Sequence, residues 1–180
     1  MPNRDFRVER LTSYAEQDAA DLGVLRNALS SDRPSTPLVP DRIDSIVGHD
    51  DRLFVVARNE DSERIVGCET IVTIPLPESE EEEPDGIAWL GFVSTHPEHR
   101  GKGIAKNIAI EGLSWCVEQG LADMRFTSNS HNPERDNARD FYLKYGAVII
   151  ASGVGPKDTD LFNWKVDVGL DRLIAGLHEG

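Results

Sequence analysis

The chain is poor in sulfur, in positive charge and in long apolar runs. Cys68 and Cys116 are its only cysteines, too few for a disulfide framework. Both stand in apolar segments and read as buried thiols, not as ligands or nucleophiles. No apolar run approaches the roughly 18–20 residues that a membrane-spanning helix needs. The start, Met1-Pro2-Asn3-Arg4-Asp5, lacks the apolar core of a signal peptide, so no membrane partner is expected and the expected compartment is the cytoplasm. Positive charge is scarce: 19 Lys and Arg stand against 32 Asp and Glu, a net charge of −13. A field of that sign repels phosphate backbones, so no nucleic-acid partner is expected. It attracts cations, which fits a cationic amine as partner and fits solubility or adaptation to salt equally well. The composition is otherwise that of a globular protein, 39% hydrophobic and 28% charged over 180 residues. That length suits a single domain over 1–180 with a sizeable core.

Against this acidic background one stretch is locally positive: Thr95-His96-Pro97-Glu98-His99-Arg100-Gly101-Lys102-Gly103-Ile104-Ala105. The apolar run Ile87–Val93 before it predicts a buried strand, and the residues after it predict a helix to about Gln119. A strand, a glycine-rich turn and a helix N-terminus make an anion site, because the first helical amides lack partners and the helix dipole is positive there. Gly101 and Gly103 leave the backbone bare, and Arg100 and Lys102 add full charges. The stretch is not a P-loop, since Lys102 is followed by Gly103 and Ile104 rather than Ser or Thr. Nor is it G-x-G-x-x-G, since Lys106 holds the last position. A pyrophosphate remains the expected ligand.

Periodicity predicts the scaffold around it. Phe6–Leu11 alternates as a half-buried strand, and Asp18–Leu29 carries Ala19, Leu22, Leu25 and Leu29 at helical spacing. The proline-rich segment 30–40 ends at Asp41, an N-cap for a short helix through Val47. Residues 52–58 and 64–74 read as a hairpin. Residues 75–86 hold the run Glu80-Glu81-Glu82-Glu83 and read as a solvated loop, with an acidic collar for a cationic acceptor as the alternative. The helix from Gly103 to Gln119 shows Ile104, Ala105, Ile108, Ala109, Leu113 and Cys116 on its inner face, and Lys106, Asn107, Glu111 and Glu118 toward water. A strand at 123–127 and a polar loop at 128–134 follow. Ala138, Phe141, Tyr142 and Tyr145 then share one helical face closed by Gly146. Strands at 147–154 and 161–168 pair as a hairpin, with a last helical turn or two over 170–177.

The pattern R-x-x-G-x-A, from Arg100 through Gly103 to Ala105, resembles the coenzyme A loop of the GNAT superfamily of N-acetyltransferases. Ala138-x-x-x-Tyr142-x-x-x-Gly146 resembles its second motif, with Arg135 where that motif has asparagine, Asn137 nearby, and Ala147 where it has phenylalanine. The resemblance covers about 6–168, leaving 170–180 as a tail. It implies an α/β fold of the α+β kind, with a mixed, mostly antiparallel central sheet of about seven strands flanked by helices. It implies acetyl-CoA as cosubstrate and transfer of an acetyl group to an amine, with no metal. Arg100, Gly101, Lys102, Gly103, Ile104 and Ala105 would hold the pyrophosphate, with Asn137 close to the cofactor. Val93 would supply an oxyanion amide, Thr95 would align the pantetheine arm, and Tyr142 would protonate the leaving thiolate. Glu69, Asp85, His96 and His131 are candidates for the general base. His96 and His99 lie three apart, but Pro97 between them argues for an extended turn, not a metal pair. A non-catalytic acyl-CoA sensor, a nucleotide-binding domain and a homodimer paired through sheet edges stay open. The acceptor is not specified.

Overall fold

The computed structural model describes residues 5–28, 43–74, 86–128, 136–154 and 159–177. In chain order the elements are β1 (Phe6–Arg10), α1 (Glu16–Ala28), β2 (Arg52–Asn59), β3 (Ile65–Ile74), β4 (Ile87–Thr95), a 3-10 turn (Pro97–His99), α2 (Ile104–Glu118), β5 (Asp123–Ser128), α3 (Asp136–Lys144), β6 (Val148–Val154), β7 (Thr159–Lys165) and α4 (Val166–Ala175). The strands form one seven-stranded sheet in the order β1-β2-β3-β4-β5-β7-β6. β4 and β5 pair in parallel, at Ala88 with Met124 and Trp89 with Arg125. β1–β2, β2–β3, β5–β7 and β6–β7 are antiparallel. The expected mostly antiparallel seven-stranded sheet is therefore present.

The chain divides into two compact units, Met1–Val72 with Gly91–Gly112, and Thr73–Leu90 with Leu113–Gly180. In the first, Leu11, Leu22, Leu25, Ile43, Phe54, Val56, Ile65 and Cys68 form one buried cluster. Successive strand residues face opposite sides, so Gly67 and Glu69 turn from that cluster toward α2. The helix comes close enough there that a methyl group on Gly67 would lie 2.5 Å from Ile104 Cγ2 and 3.0 Å from Ile108 Cδ1. In the second unit Phe126 stacks on Phe162 at 4.9 Å, and Trp164 is buried beside them.

Several expectations need correction. The last strand does not reach Val168: it stops at Lys165, and a full helix, α4, occupies Val166–Ala175. Val166-Asp167-Val168 alternates like a strand, but Val166, Gly169 and Leu173 are the buried positions, a helical spacing. Gly169 lies so near the Trp164 indole that a methyl group there would overlap it. Of the short helix ending at Val47 only the part from Ile43 is described, and there the amides of Ile46 and Val47 both donate to Ile43 O at 2.9 Å. On α2, Trp115 joins the buried face, while Lys106, Asn107 and Glu111 are half-buried rather than fully in water. Arg10 explains Glu111, since its Nε lies 2.6 Å from Oε1. Ala138 is exposed, so the inner face of α3 is narrower than its spacing implies. The 75–86 loop except Gly86, the 128–134 loop except Ser128, Asp41 and Leu29 lie outside the described residues.

Candidate active site

β4 ends at Thr95, yet the next amide, that of His96, still donates to Val66 O of β3 at 2.8 Å. The chain then makes a single 3-10 turn over Pro97–His99, not the extended turn expected from Pro97. Proline fits the first position of such a turn because its missing N–H would have no acceptor there. His96 closes the turn, with Nδ1 accepting from Glu98 N–H at 3.4 Å. Gly101 and Gly103 follow with φ of +76° and +80°, the left-handed region that glycine enters without steric penalty. A methyl group on Gly101 would meet nothing within 4 Å, so the backbone angle, not crowding, calls for glycine at that position.

Ile104 anchors the loop by burying its side chain on β3, while Arg100, Gly101, Lys102 and Gly103 stay exposed. The first backbone bond of α2 runs from Asn107 N–H to Gly103 O at 3.1 Å. The helical ladder thus offers no acceptor to the amides of Ile104 and Ala105. Asn107 Nδ2 adds a second bond to Gly103 O at 2.8 Å, which ties the glycine to the helix from the side chain. The first turn of α2 contains no acidic residue. Burial, and then the fields of Lys102 and His96, hold the His99 imidazole below its ordinary pKa. The loop is therefore positive as well as open.

Amide directions along β4 follow from two bonds. Phe92 N–H goes to Thr70 Oγ1 of β3 at 2.8 Å, and His96 N–H goes to Val66 O. Strand amides alternate sides, so those of Val93 and Thr95, between these two, point toward the opposite edge of β4. Both residues are half-buried. The candidate oxyanion amide and the candidate pantetheine strand thus lie on one edge.

Tyr142 sits in an aromatic cluster of the second unit and is 6% exposed. Its ring lies 4.3 Å from Phe126, 5.6 Å from Trp164 and 5.3 Å from Phe141, centroid to centroid. Trp164 Nε1 donates to Tyr145 O at 2.8 Å, and Arg139 Nε lies 3.4 Å from Asp160 Oδ2, so α3 is held at both ends. Gly146, at φ +97°, follows the helix. Asn137 belongs to α3, but its side chain is outside the described residues.

Of the candidate bases, Asp85 and His131 lie outside the described residues. Glu69 is 2% exposed, and burial pushes its carboxyl up to about 8. It faces Gly112 of α2, where a methyl group would overlap the carboxylate. Its carboxyl thus lies inside the core, against α2. His96 is half-buried, with Nδ1 engaged by the turn. Two contributors escaped the sequence reading, Gly67 and Thr70. A glycine inside a strand signals close approach and could have flagged Gly67; nothing local marks Thr70.

No curated protein matches the chain in sequence. The family model described as "Acetyltransferase (GNAT) family" matches residues 10–147. Among solved structures, an acetyltransferase from Streptococcus agalactiae superposes with a TM-score of 0.68 at 12% identity, over 89% of this chain and 98% of that one. Arabidopsis thaliana NAA60 in complex with a bisubstrate analogue gives 0.68 at 16%, over 89% and 97%. Arabidopsis thaliana Naa50 in complex with the bisubstrate analogue CoA-Ac-MVNAL gives 0.62 at 17%, over 89% and 99%. At such identities the likeness is one of fold.

Proposed function

The chain belongs to the acetyltransferase (GNAT) family, and on that premise we propose that it is an acetyl-CoA-dependent N-acetyltransferase acting on a primary amine of a small molecule or peptide. The observation that carries the reading is the loop at the start of α2. Two left-handed glycines and two exposed cations precede a helix whose first turn holds no acid. That combination suits a diphosphate, which accepts hydrogen bonds from backbone amides and neutralises the helix dipole. Arg100, Gly101, Lys102, Gly103, Ile104 and Ala105 bind it, and Thr95 aligns the pantetheine arm by backbone bonding, as an added strand would.

The chemistry is a direct transfer in a ternary complex. The amine nitrogen attacks the thioester carbonyl carbon, and the oxygen gains negative charge. Val93 N–H donates to that oxygen. The intermediate then collapses, the carbon–sulfur bond breaks, and the Tyr142 phenol gives its proton to the thiolate. The amine loses a proton in the same turnover, by way of water or one of the candidate bases Glu69, Asp85, His96 and His131. A peptide amine is in keeping with the CoA-Ac-MVNAL analogue bound by Arabidopsis Naa50, and a cationic acceptor with the net charge of −13.

The test is thiol release from acetyl-CoA in the presence of polyamines, aminoglycosides, amino acids and N-terminal peptides, beside calorimetric binding of acetyl-CoA. Turnover with at least one amine supports the enzyme; binding without thiol release on any of them supports a sensor. With an active acceptor, Tyr142→Phe is expected to lower turnover about 100-fold while acetyl-CoA affinity changes by less than about threefold. Unchanged turnover removes Tyr142 from the mechanism.

A further inference from the structure

Glu69 is a buried acid whose surroundings offer it no compensating charge. Burial pushes its carboxyl up to about 8, and no cation or hydrogen-bond donor among the described residues offsets the shift. Directly opposite residues on paired strands share a face, so the registers show what surrounds it. The β2 residues opposite Gly67, Glu69 and Ile71 are Ala57, Val55 and Leu53, all apolar. On β1, Arg10 lies opposite Val55, two strands from Glu69, with its Nε held by Glu111 of α2 at 2.6 Å. β4 from Gly91 to Thr95 carries no titratable group. Cys68, next along β3, faces the other side of the sheet and is held protonated by burial and then by Glu69. α2 carries Lys106, Glu111, Cys116 and Glu118, and none of them shifts the Glu69 carboxyl.

That carboxyl ends against the middle of α2. A methyl group on Gly112 would overlap Glu69 Oε1 and lie 2.9 Å from Ile71 Cδ1. Glycine is a poor residue inside a helix, and here it makes the notch that the carboxyl fills. One and two turns earlier, Ile108 and Ile104 are keyed onto β3 at Gly67. Gly67 and Glu69 thus seat successive turns of α2. We propose that the Glu69–Gly112 contact is a pH-sensitive latch on the diphosphate loop: with the carboxyl neutral α2 lies down on β3, and with it ionised the helix lifts at Gly112 and its first turn loosens its hold on coenzyme A. An unpaired carboxylate in an apolar seat must find water. A notch that does not admit a methyl group admits no water while the helix stays down, so the helix has to move. Gly112 lies about 12 Å along the rod from Ile104, and a tilt there unseats the side chain that anchors the loop. The sign is fixed by the raised carboxyl. Seating of the helix is favoured in full below the ordinary carboxylate range, weakens by up to about tenfold per pH unit above it, and weakens no further above about pH 8. The proposal rests on the reading of the first turn of α2 as a coenzyme A site.

The test uses the full chain and coenzyme A, with no acceptor. Difference infrared spectroscopy of native protein against Glu69→Gln should show a protonated-carboxyl stretch at pH 7 that is lost as pH rises through about 8. Calorimetry on both proteins removes the titrations they share, those of the ligand, His96 and His99 included. The ratio of dissociation constants, native over variant, should rise by about tenfold between pH 6.5 and pH 9. A ratio constant within about twofold, beside a carboxyl stretch that titrates, overturns the latch and leaves the coenzyme A site standing. No protonated-carboxyl stretch at pH 7 overturns it as well. If neither protein binds coenzyme A at any pH, the reading of the loop fails and the latch goes with it. Should Glu69→Gln not fold, Glu69→Met removes the same ionisation and must give the same rising ratio; a flat one overturns the proposal.

Discussion

Helices α1 and α2 solve the same end problem in opposite ways. Each begins with amides that its own ladder leaves without acceptors and with a partial positive charge. α1 carries Glu16 and Asp18 in its first turn. Asp18 accepts from Ala15 N–H at 3.0 Å and from Arg58 Nη1 at 2.6 Å. Burial pushes the Asp18 carboxyl up, but Arg58 and the Ala15 amide outweigh it and hold the group below its ordinary range. The end of α1 is thus served by the chain itself. α2 has no acid in its first turn, and the residues ahead of it are two left-handed glycines and two exposed cations. Its unmet demand for negative charge is what a diphosphate would satisfy. A closed helix end reads as stability and an open, basic one as binding.

The largest effect should come from giving α2 the acid that α1 has. Gly103→Asp places a carboxylate at the start of the helix and strains a position at φ +80°. Coenzyme A affinity, by calorimetry, should fall by about 100-fold, roughly 3 kcal/mol of like-charge repulsion and lost backbone fit. Retained affinity would show that the two ends do not differ in the way argued.

Opening α1 should instead cost stability and leave binding alone. Asp18→Asn keeps the shape but removes the charge that holds Arg58. A loss of roughly 1–3 kcal/mol is expected at neutral pH, read by chemical denaturation, with coenzyme A affinity unchanged. The pH dependence has a definite sign. A carboxyl held below its unfolded value contributes stability that is present above that value and is lost as pH falls through the folded one. The gap between native protein and variant should therefore narrow below about pH 4.

The smallest effect is a sensor of the open end. His99 is held low by burial, then by Lys102 and His96, so an anion bound at the loop should raise its pKa. Proton NMR with coenzyme A should show an upward shift of the His99 pKa, with affinity rising as pH falls through it. A downward or absent shift would place the diphosphate elsewhere.

The loop was legible because its chemistry is consecutive: Arg100, Gly101, Lys102 and Gly103 stand side by side, and glycine in a basic turn before a helix has few uses. The hairpin of β2 and β3 was legible from its apolar runs. What escaped depends on residues far apart in sequence. Thr70 meets Phe92 across 22 positions, and no local pattern marks it. Val166-Asp167-Val168 has the period of a strand, and its helical state follows from the packing of Gly169 against Trp164, which periodicity does not show. Tyr142 on α3 and Tyr145 just past its end are both buried, so spacing alone gives each the same weight. Only the register with Ala138 and Gly146 singles out Tyr142.

The central claim is that the amides opening α2 grip the diphosphate of a thioester carrier. Hydrogen exchange resolved at Ile104 and Ala105, with and without saturating coenzyme A, tests it most directly. The account predicts exchange slowed by about tenfold or more at these two amides, with no comparable change at the start of α1. Equal rates at Ile104 and Ala105 in both samples, with coenzyme A shown to be bound, would contradict it.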